Sequence, residues 1–249
     1  MHRNLLSAAT ATLLLALAAC APNTVVPPAR QAASYFEEGE SFYEQGLYQD
    51  AIASWEKVRD SYYSPELNIL AELKIAEAHF LAGQYIEAAA AYEAFLKNHP
   101  DHAKVPEVLF QIGLCYLNQM GDRDQDQTAT RRALTAFETL KQRFPEDRRR
   151  EETQVYIDRC INQLAANEVV IGEYYLKAKQ YQAAITRLEG VFKRYPTYYD
   201  RAEAYYLLGQ AYLFAGDKVR ASEAFNNLYD QFPQSQYILG AQKFIDKNY

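Results

Sequence analysis

The sequence predicts an all-α protein: a right-handed superhelix of about five helix–turn–helix repeats with a C-terminal capping helix. Three recurring features support this prediction. A Gly-x-x-x-x-Ala turn, or a close variant of it, recurs along the chain; a small residue lies seven positions before each such turn; and a proline follows twelve positions after the alanine in four repeats. Self-similarity at a fixed period is the sequence signature of stacked repeat units.

The N-terminal segment, residues 1–19, is predicted to be a lipoprotein signal peptide. An uncharged apolar run follows Arg3 and ends in small residues immediately before Cys20. This run is too short for a membrane-spanning helix, which needs about 20 apolar residues, but it suits a secretory signal. Small residues before a cysteine resemble the bacterial lipobox, in which the cysteine thiol is acylated. The alternative is an ordinary signal peptide with an incidental cysteine.

Residues 20–31 are predicted to form the lipidated cysteine and a flexible tether. Residues 21–31 contain three prolines and show no helical periodicity, which is typical of an extended linker. Position 21 is Ala and not Asp, and by the sorting rule of the enterobacterial lipoproteins that this segment resembles, Ala favours the outer membrane. The expected location is therefore the outer membrane, lipid-anchored and facing the periplasm.

Five repeat units follow, and their shared residues match the tetratricopeptide (TPR) pattern. The units are residues 32–65, 69–102, 106–146, 165–198 and 202–235. Two antiparallel helices approach closely in each unit, so small residues are expected where the helices face each other. On the first helices these are Gly39, Ala76, Gly113, Gly172 and Gly209, and on the second helices they are Ala51, Ala88, Ala133, Ala184 and Ala221.

Two segments interrupt the repeat. Residues 121–130 form an insert in the third unit, and insertions in repeat proteins usually lie on one face and often serve binding. Residues 151–164 form an extra helical stretch that continues without a breaker to residue 179, which predicts one long helix. The predicted organisation is units 1–3 in residues 32–146, then the long helix, units 4–5 and the capping helix in residues 147–249.

The first-helix positions that line the inner face of a TPR superhelix are mostly apolar and aromatic. They include Phe36, Tyr43, Leu73, Phe80, Phe110, Leu114 and Leu117. Aromatic side chains on a concave surface can hold an extended or helical peptide with an aromatic end. We therefore predict a client-peptide groove at these positions. The alternative is that the same stripe packs between neighbouring first helices.

Motifs for catalysis or metal binding are weak. His99 and His102 flank a proline turn that does not set two imidazoles on one face, and residues 122–126 lack the continuation that a calcium loop requires. The sequence carries no Gly-rich phosphate loop and no Ser/His/Asp or Cys/His constellation. We therefore predict a scaffold that is not an enzyme and uses no cofactor or metal. Cys115 and Cys160 lie among apolar neighbours and are expected to be free thiols, with a periplasmic disulfide as the alternative.

The formal net charge of −6 bears on the class of partner. Contact with nucleic-acid phosphates requires a basic face, so the acidic balance argues against a dedicated nucleic-acid binder.

Two stretches resemble the BamD family, the TPR lipoproteins of the outer-membrane β-barrel assembly machinery. Residues 122–145 look like the family's insert followed by its D-x-x-x-x-x-x-A-x-x-x-F-x-x-L-x-x-x-F-P stretch, and residues 173–196 look like a second conserved stretch of the fourth unit. The resemblance runs from the lipobox to the capping helix. It departs from the family at residues 126–128, which read Asp-Gln-Thr in place of Asp-Pro-Thr, and after Pro145, where Glu-Asp-Arg-Arg-Arg replaces Asp-Ser-x-Tyr.

The resemblance implies partners. The N-terminal repeats of the family receive unfolded outer-membrane proteins through a C-terminal aromatic signal. The C-terminal repeats dock on the periplasmic domains of the barrel subunit, BamA, within a complex that holds other lipoproteins. Arg187 matches an arginine of the family's Arg-x-Glu-Gly-like stretch and is expected to face the barrel subunit; the alternative is a solvated helix residue.

Two other functions remain open at this point. The first is another lipid-anchored TPR adaptor of the cell envelope, either pilotin-like or associated with peptidoglycan or Tol proteins. The second is an enzyme with a hidden site, which would require convergent polar residues inside the groove.

Overall fold

In the computed structural model, residues 28–61 and 64–248 are described, and they form helices joined by turns. The signal peptide (1–19), Cys20 and the tether as far as residue 27 lie outside the described residues. The eleven helices of the described part are α1 (Pro28–Glu44), α2 (Tyr48–Arg59), α3 (Pro65–Leu81), α4 (Tyr85–Asn98), α5 (Val105–Leu117), α6 (Thr128–Arg143), α7 (Arg150–Lys177), α8 (Tyr181–Arg194), α9 (Arg201–Phe214), α10 (Lys218–Gln231) and α11 (Tyr237–Asn248).

The helices pack as antiparallel pairs in chain order. α1 and α2, α3 and α4, α5 and α6, α7 and α8, and α9 and α10 form five pairs, and each pair stacks on the next. α11 packs on α9 and α10 and closes the end of the stack. The arrangement is a TPR superhelix, so the predicted fold class is confirmed.

The first helix starts earlier than the sequence analysis predicts. α1 begins at Pro28, so residues 28–31, which were predicted to belong to the tether, are helical. Proline is well tolerated in the first turn of a helix, because its missing N–H would have no partner there and its fixed φ suits the helix. Pro28 therefore starts a helix and does not extend the linker.

A close contact between the two helices recurs in four of the five units. The pairs are Gly39 under Trp55, Gly113 under Phe137, Gly172 under Leu188 and Gly209 under Phe225, and a Cβ atom on each glycine would lie 2.4–2.7 Å from that side chain. All four large side chains are fully buried. No methyl group fits at these glycines without moving the partner side chain, so the predicted close approach of the helices is confirmed.

The turn inside four of the units needs a residue with left-handed backbone conformation. Gly46, Gly83 and Gly216 have φ values of 74°, 74° and 86°, and Lys179 takes the same place with φ of 60°. Only glycine adopts this region without a steric cost. Lys179 is exposed, so its side chain meets no core residue there. The fourth turn therefore has the same structure as the others despite lacking glycine.

α7 carries the chain from one half of the superhelix to the other. It is one uninterrupted helix of 28 residues, as predicted from the absence of a breaker. Its first half packs Ile157 and Cys160 into the core of units 2 and 3. Its second half packs Ala165 and Val169 into the core of units 4 and 5.

The two cysteines of the described part are buried and unpaired. Cys115 and Cys160 are both fully buried and free. Burial raises the pKa of Cys115 to about 12 and that of Cys160 to about 11. Both thiols therefore stay protonated and pack as small apolar groups, which confirms the expectation of free thiols.

A polar clamp joins the second helices of consecutive units across the first helix between them. Tyr116 Oη donates a 2.7 Å hydrogen bond to Glu93 Oε1 of α4 and accepts a 2.6 Å bond from Arg132 Nη1 of α6. Unit 5 repeats the arrangement at the equivalent positions. There Tyr212 donates to Glu189, and the guanidinium of Arg220 lies 4.6 Å from the centre of the Tyr212 ring. These clamps, which the sequence analysis missed, tie unit 2 to unit 3 and unit 4 to unit 5.

The segment that leads into α7 is fixed by a largely buried ion pair. Arg149 Nε and Nη2 donate hydrogen bonds of 2.9 and 2.8 Å to the two carboxylate oxygens of Asp147. The side chains of Arg149 and Asp147 are only 15% and 11% exposed, and the guanidinium lies 4.8 Å from the centre of the Phe110 ring. The hydrogen bonds from Arg149 lower the pKa of Asp147 to about 2.

This ion pair predicts a pH-dependent loss of stability in Asp147→Asn. The pKa of Asp147 is lower in the folded state than its ordinary value of 3.8, so its contribution is present above that value and is lost as the pH falls toward about 2. We expect the variant to lose about 1–2 kcal/mol of unfolding free energy at pH 7 and to approach the parent protein between pH 4 and pH 2. Urea denaturation at several pH values measures both effects.

The control for Asp147→Asn is Glu146→Gln, because the Glu146 side chain is 91% exposed and lies 4.0 Å from Arg150. At pH 7 and at pH 2, Glu146→Gln should have the same unfolding free energy as the parent protein, within experimental error. A stability difference for Asp147→Asn that stays constant from pH 7 to pH 2 would contradict the assigned role of the charge.

Candidate binding surfaces

Four of the predicted groove residues lie on α1 and α3 and are half-buried: Phe36, Tyr43, Leu73 and Phe80. Tyr43 contacts Trp55 and Tyr48 with ring centres 5.7 and 5.8 Å away. Phe80 packs edge-on against Tyr85, with ring centres 5.4 Å apart. These four side chains therefore take part in helix packing and also keep an exposed edge.

Phe110 does not lie on an open groove surface, so the prediction was wrong for this residue. It is 5% exposed and packs against Phe137 and Tyr156 at ring-centre distances of 5.8 and 6.0 Å. Arg149 covers it as well. Tyr156, which belongs to the extra helical stretch of α7, covers Phe110. Two neighbouring groove candidates on α5, Leu114 and Leu117, also pack into the core of units 2 and 3.

A small recess lies between α3 and α5, next to the predicted groove residues. Its volume is about 130 Å³, and its lining residues are Leu70, Leu73, Lys74, Glu77, Tyr92, Lys104, Glu107, Val108 and Gln111. The apolar residues on the first helices predict the apolar wall of this recess. The four charged residues, Lys74, Glu77, Lys104 and Glu107, were not predicted. The recess is therefore amphipathic and has two lysines at its edge.

Charges around this recess are paired along the inner face. Lys74 Nζ lies 3.2 Å from Glu40 Oε1 and 4.8 Å from the centre of the Tyr43 ring. Lys104 Nζ lies 2.8 Å from Glu107 Oε2. Burial, together with the nearby Glu77 carboxylate, raises the pKa of Tyr43 to about 12, so its hydroxyl is a neutral hydrogen-bond donor. The surface therefore combines an aromatic edge, an apolar wall and two ammonium groups that are each paired with a carboxylate.

The second candidate surface surrounds Arg187 on α8. Glu168, with a side chain only 17% exposed, binds Arg187 at 3.3 Å and Arg194 at 3.0 Å. A Cβ atom at Gly190 would lie 2.7 Å from the Arg194 guanidinium, so glycine leaves room for Arg194 to lie across the helix. Two guanidinium groups therefore share one carboxylate, which leaves positive charge and N–H donors for a second carboxylate.

The neighbours of Arg187 in the Arg-Leu-Glu-Gly stretch have structural tasks. Leu188 packs on Gly172, and Glu189 forms the clamp with Tyr212. Arg187 has a side chain that is 44% exposed. Within this stretch, Arg187 is the residue whose charged group, the guanidinium, is accessible to a partner.

The insert of unit 3 is an ordered loop between α5 and α6. The Gln127 side chain is buried, and its amide donates to the backbone carbonyls of Asp122 and Gln125 at 2.8 and 3.0 Å. Asp126 Oδ1 accepts the Thr128 N–H at 2.8 Å, so α6 begins at Thr128 and the last three residues of the predicted insert are helical.

Within residues 28–61 and 64–248, no three His, Cys, Asp or Glu side chains lie close enough to hold a metal ion. His99 Nε2 lies 3.0 Å from Glu72 Oε2 instead. In the same part of the chain, no helix combines the length and the apolar character needed to cross a bilayer.

A known family matches most of the chain. The family YfiO, described as "Outer membrane lipoprotein", matches residues 28–223. Proteins named outer membrane protein assembly factor BamD are similar over nearly the whole length. The one from Rickettsia prowazekii is 30% identical over 91% of this chain and 89% of its own length. Those from Caulobacter vibrioides and Neisseria meningitidis serogroup A are 28% and 26% identical, and the matches cover 90% and 93% of this chain and 74% and 93% of the relatives.

Solved TPR structures are similar at lower levels. The TPR2AB domain of yeast Sti1, solved as a pHSP90 complex, has a TM-score of 0.44 at 15% identity, covering 88% of this chain and 86% of its own. A TPR protein of Thermus thermophilus has a TM-score of 0.36 at 16% identity, covering 87% and 98% of the two chains.

Proposed function

Because the chain belongs to the YfiO family of outer membrane lipoproteins and is similar to BamD proteins over most of its length, we propose that it is a scaffold of the outer-membrane β-barrel assembly machinery. In this function it is not an enzyme; it binds the barrel subunit and unfolded outer-membrane proteins during their folding and insertion. The family match over residues 28–223 is the observation that carries the proposal.

The proposed membrane attachment is a lipid on Cys20. The apolar run and the small residues before Cys20 support this assignment. Two acyl chains hold a protein firmly on a bilayer, whereas a single chain gives only marginal binding. The TPR domain would then face the periplasm from the outer membrane.

The proposed client site is the inner face of units 1 and 2 and the recess between α3 and α5. Tyr43, Leu73 and Phe80 present an aromatic and apolar edge, which suits a terminal aromatic side chain. Lys74 and Lys104 line the recess, and each ammonium group suits the carboxylate at the end of a chain. A C-terminal segment that ends in an aromatic residue matches both features.

Phe80→Ala tests the client site. We expect about tenfold weaker binding of a labelled peptide that ends in an aromatic residue with a free carboxylate, because loss of an aromatic anchor typically costs more than 1 kcal/mol. Fluorescence anisotropy measures the affinity, and a thermal melt shows whether the variant is folded.

Leu239→Ala is the matched control for Phe80→Ala, because Leu239 is 64% exposed and lies on α11, far along the chain from the recess. Its peptide affinity should equal that of the parent. Unchanged affinity in folded Phe80→Ala, or equal binding of a peptide whose last residue is Ala, would contradict the assignment.

The proposed surface for the barrel subunit is centred on Arg187. The shared carboxylate of Glu168 leaves donors on both guanidinium groups, so an Asp or Glu side chain of the partner can bind there in bidentate fashion. This geometry supports the role that the family resemblance implies for Arg187.

Arg187→Glu tests the partner surface. We expect binding to the purified periplasmic domains of the barrel subunit to weaken by at least about tenfold, because like charges then face each other. Isothermal titration calorimetry measures the affinity. Arg159→Glu makes the same charge change on an exposed residue of α7 and should retain the parent affinity. The partner surface is wrongly placed if Arg187→Glu and Arg159→Glu bind equally well.

A further inference from the structure

The two halves of the superhelix are joined through α7. The core of units 2 and 3 includes Ile157 and Cys160 of α7, and the core of units 4 and 5 begins with Ala165. Among the described helices, α7 has extensive contacts with both α6 and α8, whereas no comparable contact links α1–α6 directly with α8–α11. A joint made by a single helix leaves the angle between the halves weakly fixed.

The insert of unit 3 crosses this joint. Gln163 and Asn167, at the middle of α7, donate side-chain hydrogen bonds of 2.8 and 2.7 Å to the backbone carbonyls of Gly121 and Arg123. Arg123 then reaches past α7 to α9, where its Nη1 and Nη2 donate bonds of 2.8 and 3.3 Å to the two carboxylate oxygens of Glu203. The contact joins residues 80 positions apart in the chain.

Glu203 depends on Arg123 for its charge partner. Glu203 is 8% exposed and lies in the first turn of α9. A second carboxylate, Asp200, is close by, and burial and the charge of Glu203 both raise the pKa of Asp200. A buried carboxylate beside another acid is costly unless a cation pairs with it. The bidentate bond from Arg123 supplies that cation from the other half of the molecule.

We propose that the insert is a brace and that Arg123 and Glu203 are positioning residues that set the angle between the two halves. One half holds the recess between α3 and α5, and the other holds Arg187. The brace goes beyond the proposed function, because it holds the two surfaces at a fixed separation whatever ligands they bind.

Pulsed electron–electron double resonance, which measures the distance between two spin labels on the full chain, tests the brace. Spin labels are attached to cysteines introduced as Ala94→Cys on α4 and Ser222→Cys on α10, both at exposed positions, in a Cys20→Ser background; Cys115 and Cys160 are buried and stay unlabelled. We expect Arg123→Ala to broaden the distance distribution between the labels about twofold, because a hinge loses its restraint. Arg123→Lys keeps the charge but loses the planar pair of donors that binds both carboxylate oxygens of Glu203, so it should give an intermediate width.

Asp124→Ala is the control, because Asp124 is an exposed residue of the same insert; its distribution should match that of the parent. Glu203→Gln keeps the side-chain volume and should broaden the distribution as much as Arg123→Ala does. Because the two variants change opposite ends of the same contact, one of them can test the proposal if the other fails to fold. Folded Arg123→Ala and Glu203→Gln with the parent distribution would overturn the proposal, as would equal broadening by Asp124→Ala.

Discussion

The structure depends on one steric constraint: in four units, a large side chain of the second helix lies directly against the backbone of the first helix. Trp55, Phe137, Leu188 and Phe225 occupy this place, and the glycine beneath each lacks the Cβ atom that would displace it. The contact fixes how closely each pair of helices approaches. Overpacking such a contact typically costs about 1–3 kcal/mol, so it also determines which residues are tolerated there.

This constraint sets where binding surfaces can lie. In four units the glycine contact fills the side of the first helix that faces its partner. On α1 and α3 the exposed edges of Tyr43, Leu73 and Phe80 lie beside this contact, because each residue is three or four positions from Gly39 or Ala76. On α5 the equivalent surface is closed, because α7 adds Tyr156 and the preceding turn adds Arg149 over Phe110. The helix that joins the two halves therefore confines the proposed client surface to the first units.

Local features of the fold could be predicted from the sequence because they repeat. The turn residues and the small residues are fixed by contacts within one unit, and the sequence carries them in each unit. The length of α7 could be predicted because no helix breaker interrupts it. Even Lys179 could be placed by its position relative to Gly172 and Ala184, although its residue type departs from the rule.

Features that join distant units could not be predicted in the same way. The cover on Phe110 and the charges of the recess come from neighbouring units, and the bond from Arg123 to Glu203 spans 80 residues. The clamp at Tyr116 could have been found from the sequence, because Tyr and Arg recur at the equivalent positions in unit 5. The sequence analysis did not use this recurrence. Arg187 was found through family resemblance, whereas its sharing of Glu168 with Arg194 appears only in the fold.

The central claim is that this superhelix serves as a scaffold in β-barrel assembly. Purification of the protein from outer membranes in mild detergent, followed by identification of the proteins that remain bound, tests it most directly. The account predicts a stoichiometric barrel protein with repeated periplasmic domains, and predicts that Arg187→Glu reduces its recovery. Recovery of pilus or peptidoglycan-linked proteins without such a barrel protein would contradict the account.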